Sequence, residues 1–228
     1  MPGNMEEFLS NGKKTRGYLA VPGSRSGPAV IVIQEWWGLV GHIQNVTDRF
    51  AEAGCVALAP DLHHGKSTRS PDEAGKLMMA LNMEQAETHL QGAVEHLVAH
   101  SATRVDKVGV VGFCMGGQLA LFAASKNLRI GACVDFYGIH PNVKPDYARI
   151  TAPVLGLFAE KDAFVKPDTV RELDARLKNA GVQTDFHIYS GVDHAFFNDE
   201  RAEAYNPEAA TDAWNRVMDF FGKYLEAA

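Results

Sequence analysis

The chain has 228 residues, 46% of them hydrophobic, with 22 basic against 28 acidic side chains and a formal net charge of −6. A negative chain with no basic cluster excludes nucleic acid or an anionic membrane surface as its main partner. That length buries a sizeable core, so one α/β domain over residues 1–228 is expected.

The opening stretch MPGNMEEFLS has no basic start and no apolar segment, so it does not read as a signal peptide. Gly17–Val21 reads as an early strand. PAVIVIQ (28–34) is a nearly continuous apolar run, as in a strand buried on both faces, and it is too short to span a bilayer. His42–Ala53 reads as a helix stopped by Gly54, and CVALAP (55–60) as the next strand. The segment from His63 to Met83 has no clear pattern and is expected at the rim of a pocket. Gln85–Ala99 puts Ala86, Leu90, Ala93, Val94, Leu97 and Val98 on one helical stripe. Strands follow at 107–113, 132–138, 153–160 and 184–190. Helices follow at Met115–Ala124, Pro167–Asn179 and Pro207–Leu225, the last two opened by proline. Strand–helix alternation of this kind predicts a mostly parallel central sheet with helices on both faces, and chemistry at the carboxyl ends of its strands. Three cysteines, with Cys55 and Cys133 inside strands, fit a reducing cytoplasm better than a disulfide framework.

The third cysteine sits in VVGFCMGGQLA (110–120), where Gly112-Phe113-Cys114-Met115-Gly116 follows a strand and opens a helix. This is the context of a nucleophile elbow with cysteine in place of serine. Glycines two positions either side relieve the collisions of a very tight turn. The helix N-terminus beyond it favours a thiolate and a developing oxyanion. A dinucleotide fingerprint is a weaker alternative, since no G-x-G-x-x-G occurs.

An elbow predicts an acid and then a histidine further along the chain. Among nine histidines, His194 in YSGVDHAFFND follows the last predicted strand and is the expected base. His89, His96 and His100 lie along one helix and read as a solvated face, so no metal is expected. LGLFAEKDAFV offers Glu160 and Asp162 as the acid, and Asp162, further from the strand end, has the reach. Asp193 would have to fold back onto its neighbour. Glu35 closes the VIVIQ strand and faces the same pocket as Cys114, where it would be a second proton acceptor beside the thiol.

Together VIVIQEWWG, ALAPDL, VGFCMGG, DFYG, LGLFAEKD and GVDHAF resemble the dienelactone hydrolase family, a cysteine branch of the α/β-hydrolase fold, from Gly17 to the C-terminal helix. The resemblance implies Cys114 as nucleophile, Asp162 and His194 as its partners, and Glu35 as a carboxylate contacting the resting thiol. It implies an oxyanion hole from the backbone N–H groups of Trp36 and Met115, with no cofactor. It further implies that substrate displaces Glu35, which takes the thiol proton while the thiolate swings toward His194.

Two arginines of the family pattern, which hold a substrate carboxylate, are replaced here by Asn198 and Pro71, with Arg69 nearby, and a tyrosine is replaced by Gly75. Trp37, Tyr137, Phe196 and Asn198 are the expected substrate-binding residues, in a wall rich in aromatics that also includes Trp36, Phe136 and Phe197. The expected substrate is therefore a small neutral or apolar ester or lactone with a good leaving group, hydrolysed by a monomer or weak dimer. The rival readings are a non-catalytic ligand-binding protein and a thiol redox protein. The second is weakened by the lack of C-x-x-C.

Overall fold

The computed structural model describes residues 2–24 and 26–225. Its strands are β1 (Asn4–Ser10), β2 (Lys13–Ala20), β3 (Gly27–Ile33), β4 (Val56–Pro60), β5 (Thr103–Phe113), β6 (Ile130–Phe136), β7 (Val154–Ala159) and β8 (Thr184–Tyr189). They form one sheet in the order β1-β2-β4-β3-β5-β6-β7-β8. β1 and β2 are antiparallel to their neighbours, and every other pairing is parallel.

The helices are α1 (Gly41–Glu52), α2 (Pro71–Met79), α3 (Met83–Ala99), α4 (Met115–Lys126), α5 (Pro167–Asn179) and α6 (Pro207–Leu225). Strand alternation divides the core between the two faces of the sheet. Val30 and Val32 of β3 pack with Ile43 and Phe50 of α1 and Val217 and Phe221 of α6. Ala29, Ile31 and Ile33 pack on the other face with Leu90 and Leu97 of α3 and Leu119 of α4. All of β3 is buried, as expected for a parallel strand covered twice. Each such aliphatic side chain contributes about 1.5–3 kcal/mol of hydrophobic stabilisation. This is the mostly parallel α/β architecture the sequence predicts.

Two elements are new relative to the sequence reading, and neither has a long apolar pattern. β1 buries only Phe8 and Ser10, and the predicted early strand begins at Lys13 rather than Gly17. Asn11 (φ +49°) and Gly12 (φ +73°) turn the chain between β1 and β2. Consecutive left-handed residues of this kind make the tight turn that Asn-Gly favours in hairpins. α2 buries only Ala74 and lies inside the segment that had no clear pattern, with Pro71 in its first turn. α5 and α6 begin at the predicted prolines, and the Asn206 side chain accepts the Ala209 N–H (3.0 Å) as a cap for α6.

The strand register sets up the site. Ile33 pairs with Gly112, Phe113 with Phe136, and Ala159 with Tyr189. The loops beyond these strand ends therefore emerge side by side, carrying Glu35, Cys114, Tyr137, Asp162 and His194.

Candidate active site

Cys114 joins β5 to α4 with φ +54° and ψ −118°, a strained conformation for a side-chain-bearing residue. The surrounding glycines are sterically required. A Cβ at Gly112 would collide with the Gly116 carbonyl, and one at Gly116 with the carbonyls of Ile33 and Gln34. The turn is tied down by Cys114 N–H to the Phe136 carbonyl (3.0 Å) and by Gly117 and Ile139 N–H to the Cys114 carbonyl (3.0 and 3.1 Å). Cys114 thus stands at the positive end of the α4 dipole. The backbone N–H groups of Met115 and Trp36 have no acceptor among the described residues, so both are free to meet a negative oxygen.

His194 Nδ1–H donates to Asp162 Oδ2 at 2.6 Å. The other oxygen of Asp162 accepts the backbone N–H groups of Phe164 (2.7 Å) and Val165 (2.9 Å), so this carboxylate, 3% exposed, is held in place. Burial disfavours the His194 cation, yet hydrogen bonds to Asp162 and Cys114 and their charges outweigh it and push its pKa up to about 10. The imidazole thus links the acid to the sulfur. Glu160, the other acid the sequence offers, is turned away to Ser190 and Gly191 (2.8 and 2.7 Å).

Glu35 is 1% exposed and lies just past β3. Its Oε2 accepts Asn198 Nδ2–H at 2.6 Å. Asn198, expected at the substrate, is instead 2% exposed and occupied with Glu35. The Cys114 sulfur is hydrogen-bonded to His194.

The aromatic residues also differ from expectation. Tyr137 and Phe196 are fully buried and form part of the core beneath the site rather than its wall. The Tyr137 ring packs 4.8 Å from His194 and Phe196 packs on Tyr137 at 5.4 Å, so together they support the imidazole from below. Burial, and then the charges of Glu35, Cys114 and Asp162, hold the Tyr137 phenol well above its ordinary pKa, so it stays neutral. Trp37 is nearly buried between the edge of Trp36 (5.1 Å) and the Arg201 guanidinium (5.2 Å). Its exposed counterpart is a residue the sequence reading missed. Phe164, 60% exposed, meets His194 edge-on at 5.2 Å. Its signal was its place two residues after the acid, on the turn that must approach the histidine.

Asp135, near the end of β6, is a second residue the sequence reading missed. It is fully buried against Gly117 and Gly138, and neither oxygen has a hydrogen bond in good geometry. Burial raises its pKa to about 7, and the Gly138 N–H offsets only part of that.

Among the described residues no group of three or more His, Cys, Asp or Glu side chains is arranged to hold a metal ion, and no helix is long and apolar enough to cross a membrane. The family model described as the dienelactone hydrolase family matches residues 15–225. "Protein usf" of Aquifex pyrophilus is 43% identical over 98% of this chain and 99% of its own length. An Aquifex aeolicus protein named "Putative carboxymethylenebutenolidase" is 38% identical over 98% of this chain and its full length (100%). The crystal structure titled as that of a "Putative Dienelactone Hydrolase" from Klebsiella pneumoniae superposes with a TM-score of 0.86 at 30% identity, covering 97% of this chain and 99% of that one.

Proposed function

Because the chain belongs to the dienelactone hydrolase family and has its α/β-hydrolase fold, we propose that it hydrolyses ester or lactone bonds through a thioester on Cys114. The observation that carries this reading is an imidazole fixed by Asp162 at 2.6 Å and turned to a cysteine at a strained strand–helix elbow.

Before substrate binds, Glu35 is an alternative holder of the thiol proton. The like charge of this buried carboxylate disfavours a bare thiolate and limits its oxidation. In the reacting state the thiolate faces protonated His194. Sulfur attacks the acyl carbon, a C–S bond forms, and the carbonyl electron pair moves to oxygen, which Trp36 and Met115 N–H receive. As the adduct collapses, the acyl–oxygen bond breaks and His194 gives its proton to the leaving oxygen. Neutral His194 then takes a proton from water, hydroxide attacks the thioester, and the C–S bond breaks to restore thiolate and imidazolium.

The favoured substrates are neutral. Asn198 has spent its amide on Glu35, and Pro71 opens α2, so neither place holds the guanidinium that would clamp a substrate carboxylate. The test is turnover of p-nitrophenyl esters and dienelactones by the wild type and Cys114→Ala. The expected result is a loss of about 10⁴-fold or more in the variant, with neutral esters preferred by the wild type. Equal turnover in Cys114→Ala, or a folded wild type inert to the whole panel, overturns the assignment in favour of a ligand-binding role.

A further inference from the structure

We infer that Asn198 is the positioning residue of Glu35, holding its carboxylate by a neutral hydrogen bond and aiming it as the acceptor for the thiol proton. This rests on the proposed role of Glu35 in that proton transfer.

The geometry is specific. Asn198 Nδ2–H donates to Glu35 Oε2 at 2.6 Å, and its Oδ1 accepts the Glu200 N–H at 3.1 Å. The second bond fixes which end of the amide faces Glu35, so the contact is a donor to a carboxylate and not an oxygen against an oxygen. The backbone of Asn198 is itself pinned, its N–H to the Ala195 carbonyl (2.9 Å) and its carbonyl to the Arg201 N–H (3.1 Å). This turn begins at Ala195 (φ +63°), directly after His194. One rigid turn therefore positions both candidate proton acceptors, one through its own chain and one through an amide.

Neutrality is the second part of the inference. Among the described residues Glu35 forms no ion pair, and Asn198 supplies its side-chain hydrogen bond. The charged or titratable groups on the surrounding elements are Cys114 between β5 and α4, Tyr137 after β6, Asp162 after β7, His194 and Arg201 on the 194–201 turn, and His63 after β4. Tyr137 is held neutral. Asp162 is bound to His194. Arg201 pairs with Glu203 over the Trp37 ring. His63 donates to the Trp36 carbonyl, and burial lowers its pKa, so it is neutral at pH 7. A cation at position 198 would stabilise the carboxylate strongly and weaken it as a base. An amide aims it by a hydrogen bond that brings no opposing charge. No substrate anion is then needed to release Glu35, which fits turnover of neutral esters.

The experiment follows the pH dependence of Cys114 alkylation by iodoacetamide, which needs no ester substrate, together with kcat and KM on a neutral p-nitrophenyl ester. Cys114 at the elbow is 7% exposed, against 2% for Cys55 and 0% for Cys133, so modification of a single thiol per chain, absent in Cys114→Ala, certifies that each variant is folded. Removing a donor from a carboxylate raises its pKa, and placing a second carboxylate beside it raises it further. The expected order for the acid-side inflection is therefore wild type, then Asn198→Ala about one pH unit higher, then Asn198→Asp higher still. Glu35→Gln leaves only the inflection of the Cys114–His194 pair, and adding Asn198→Ala to it changes nothing more. On the ester, Asn198→Ala lowers kcat by about 10-fold or more at little change in KM. Superimposable alkylation profiles for wild type and both Asn198 variants overturn the inference, as does an equal response to Asn198→Ala in the Glu35→Gln background. Shifted profiles in a protein inert to every ester leave the inference standing and remove the hydrolase reading instead.

Discussion

The turn after β7 and the end of β6 each bury an aspartate, and they treat it in opposite ways. Asp162 receives two backbone N–H groups and the His194 ring, and together with Cys114 it pushes the pKa of that ring, against burial, up to about 10. Asp135, one strand over, lies against the glycines that let α4 begin, has no good donor, and is pushed to a pKa of about 7. Burial is common to both, so what separates them is the number of hydrogen-bond donors each carboxylate meets. One is tied into a network that reaches the sulfur, and the other is left to titrate near pH 7.

Removing the charge at Asp162 breaks the comparison most severely. Asp162→Asn keeps the shape, but it no longer favours the imidazolium or its working tautomer. The expected loss is about 10⁴-fold in kcat, read on a p-nitrophenyl ester. The His194 pKa, followed by NMR, falls from about 10 toward ordinary histidine values. A His194 titration unchanged by the substitution would show that Asp162 does not hold the cation.

Asp135 is expected to matter for stability. Its pKa rises from 3.8 to about 7 on folding, so the native state binds the extra proton. Its contribution is fully present below pH 4 and is lost as pH rises toward 7, by about 4 kcal/mol at most. The pKa of His194 is also raised, from 6.5 to about 10, so its contribution is present below pH 6.5 and is lost as pH rises toward 10. The two windows barely overlap. Thermal melts of the wild type should therefore fall from pH 5 to 7, and Asp135→Asn should flatten that interval while keeping the decline above it. An Asp135→Asn melt with the wild-type slope between pH 5 and 7 would show that Asp135 is ionised throughout.

The same contrast explains what could be read from sequence. Asp162, His194 and Cys114 stand in turns whose positions follow from the strand order, and apolar runs mark the strands. The glycines at 112 and 116 announce the elbow because nothing else fits against the Ile33, Gln34 and Gly116 carbonyls. Spacing puts Asn198 in the turn after His194 but does not show that it meets Glu35, since it fixes where a side chain starts and not what it touches. Aromatic residues near a site look alike in sequence whether they lie over it or, like Tyr137 and Phe196, under it. β1 and α2 are not legible because each buries one or two side chains and has no periodic pattern to read.

The smallest effect expected is at Phe164, a large aromatic beside His194 that is 60% exposed. Its backbone N–H belongs to the rigid half of the comparison, bound to Asp162 at 2.7 Å, while its ring stands free beside His194. Phe164→Ala keeps the backbone donor and removes only the ring, so the His194–Asp162 pair and the kcat for a small acetyl ester should change little. Substrates with an aromatic or long acyl group lose an apolar surface and one edge-to-face contact, which raises KM roughly 2- to 10-fold. A KM series across acyl chain length measures this directly. Equal changes for acetyl and aromatic esters would place the ring in support of the imidazole. A change confined to the larger esters would place it in substrate binding, and would divide the 162–165 turn into a backbone that holds the acid and a side chain that selects what reaches the sulfur.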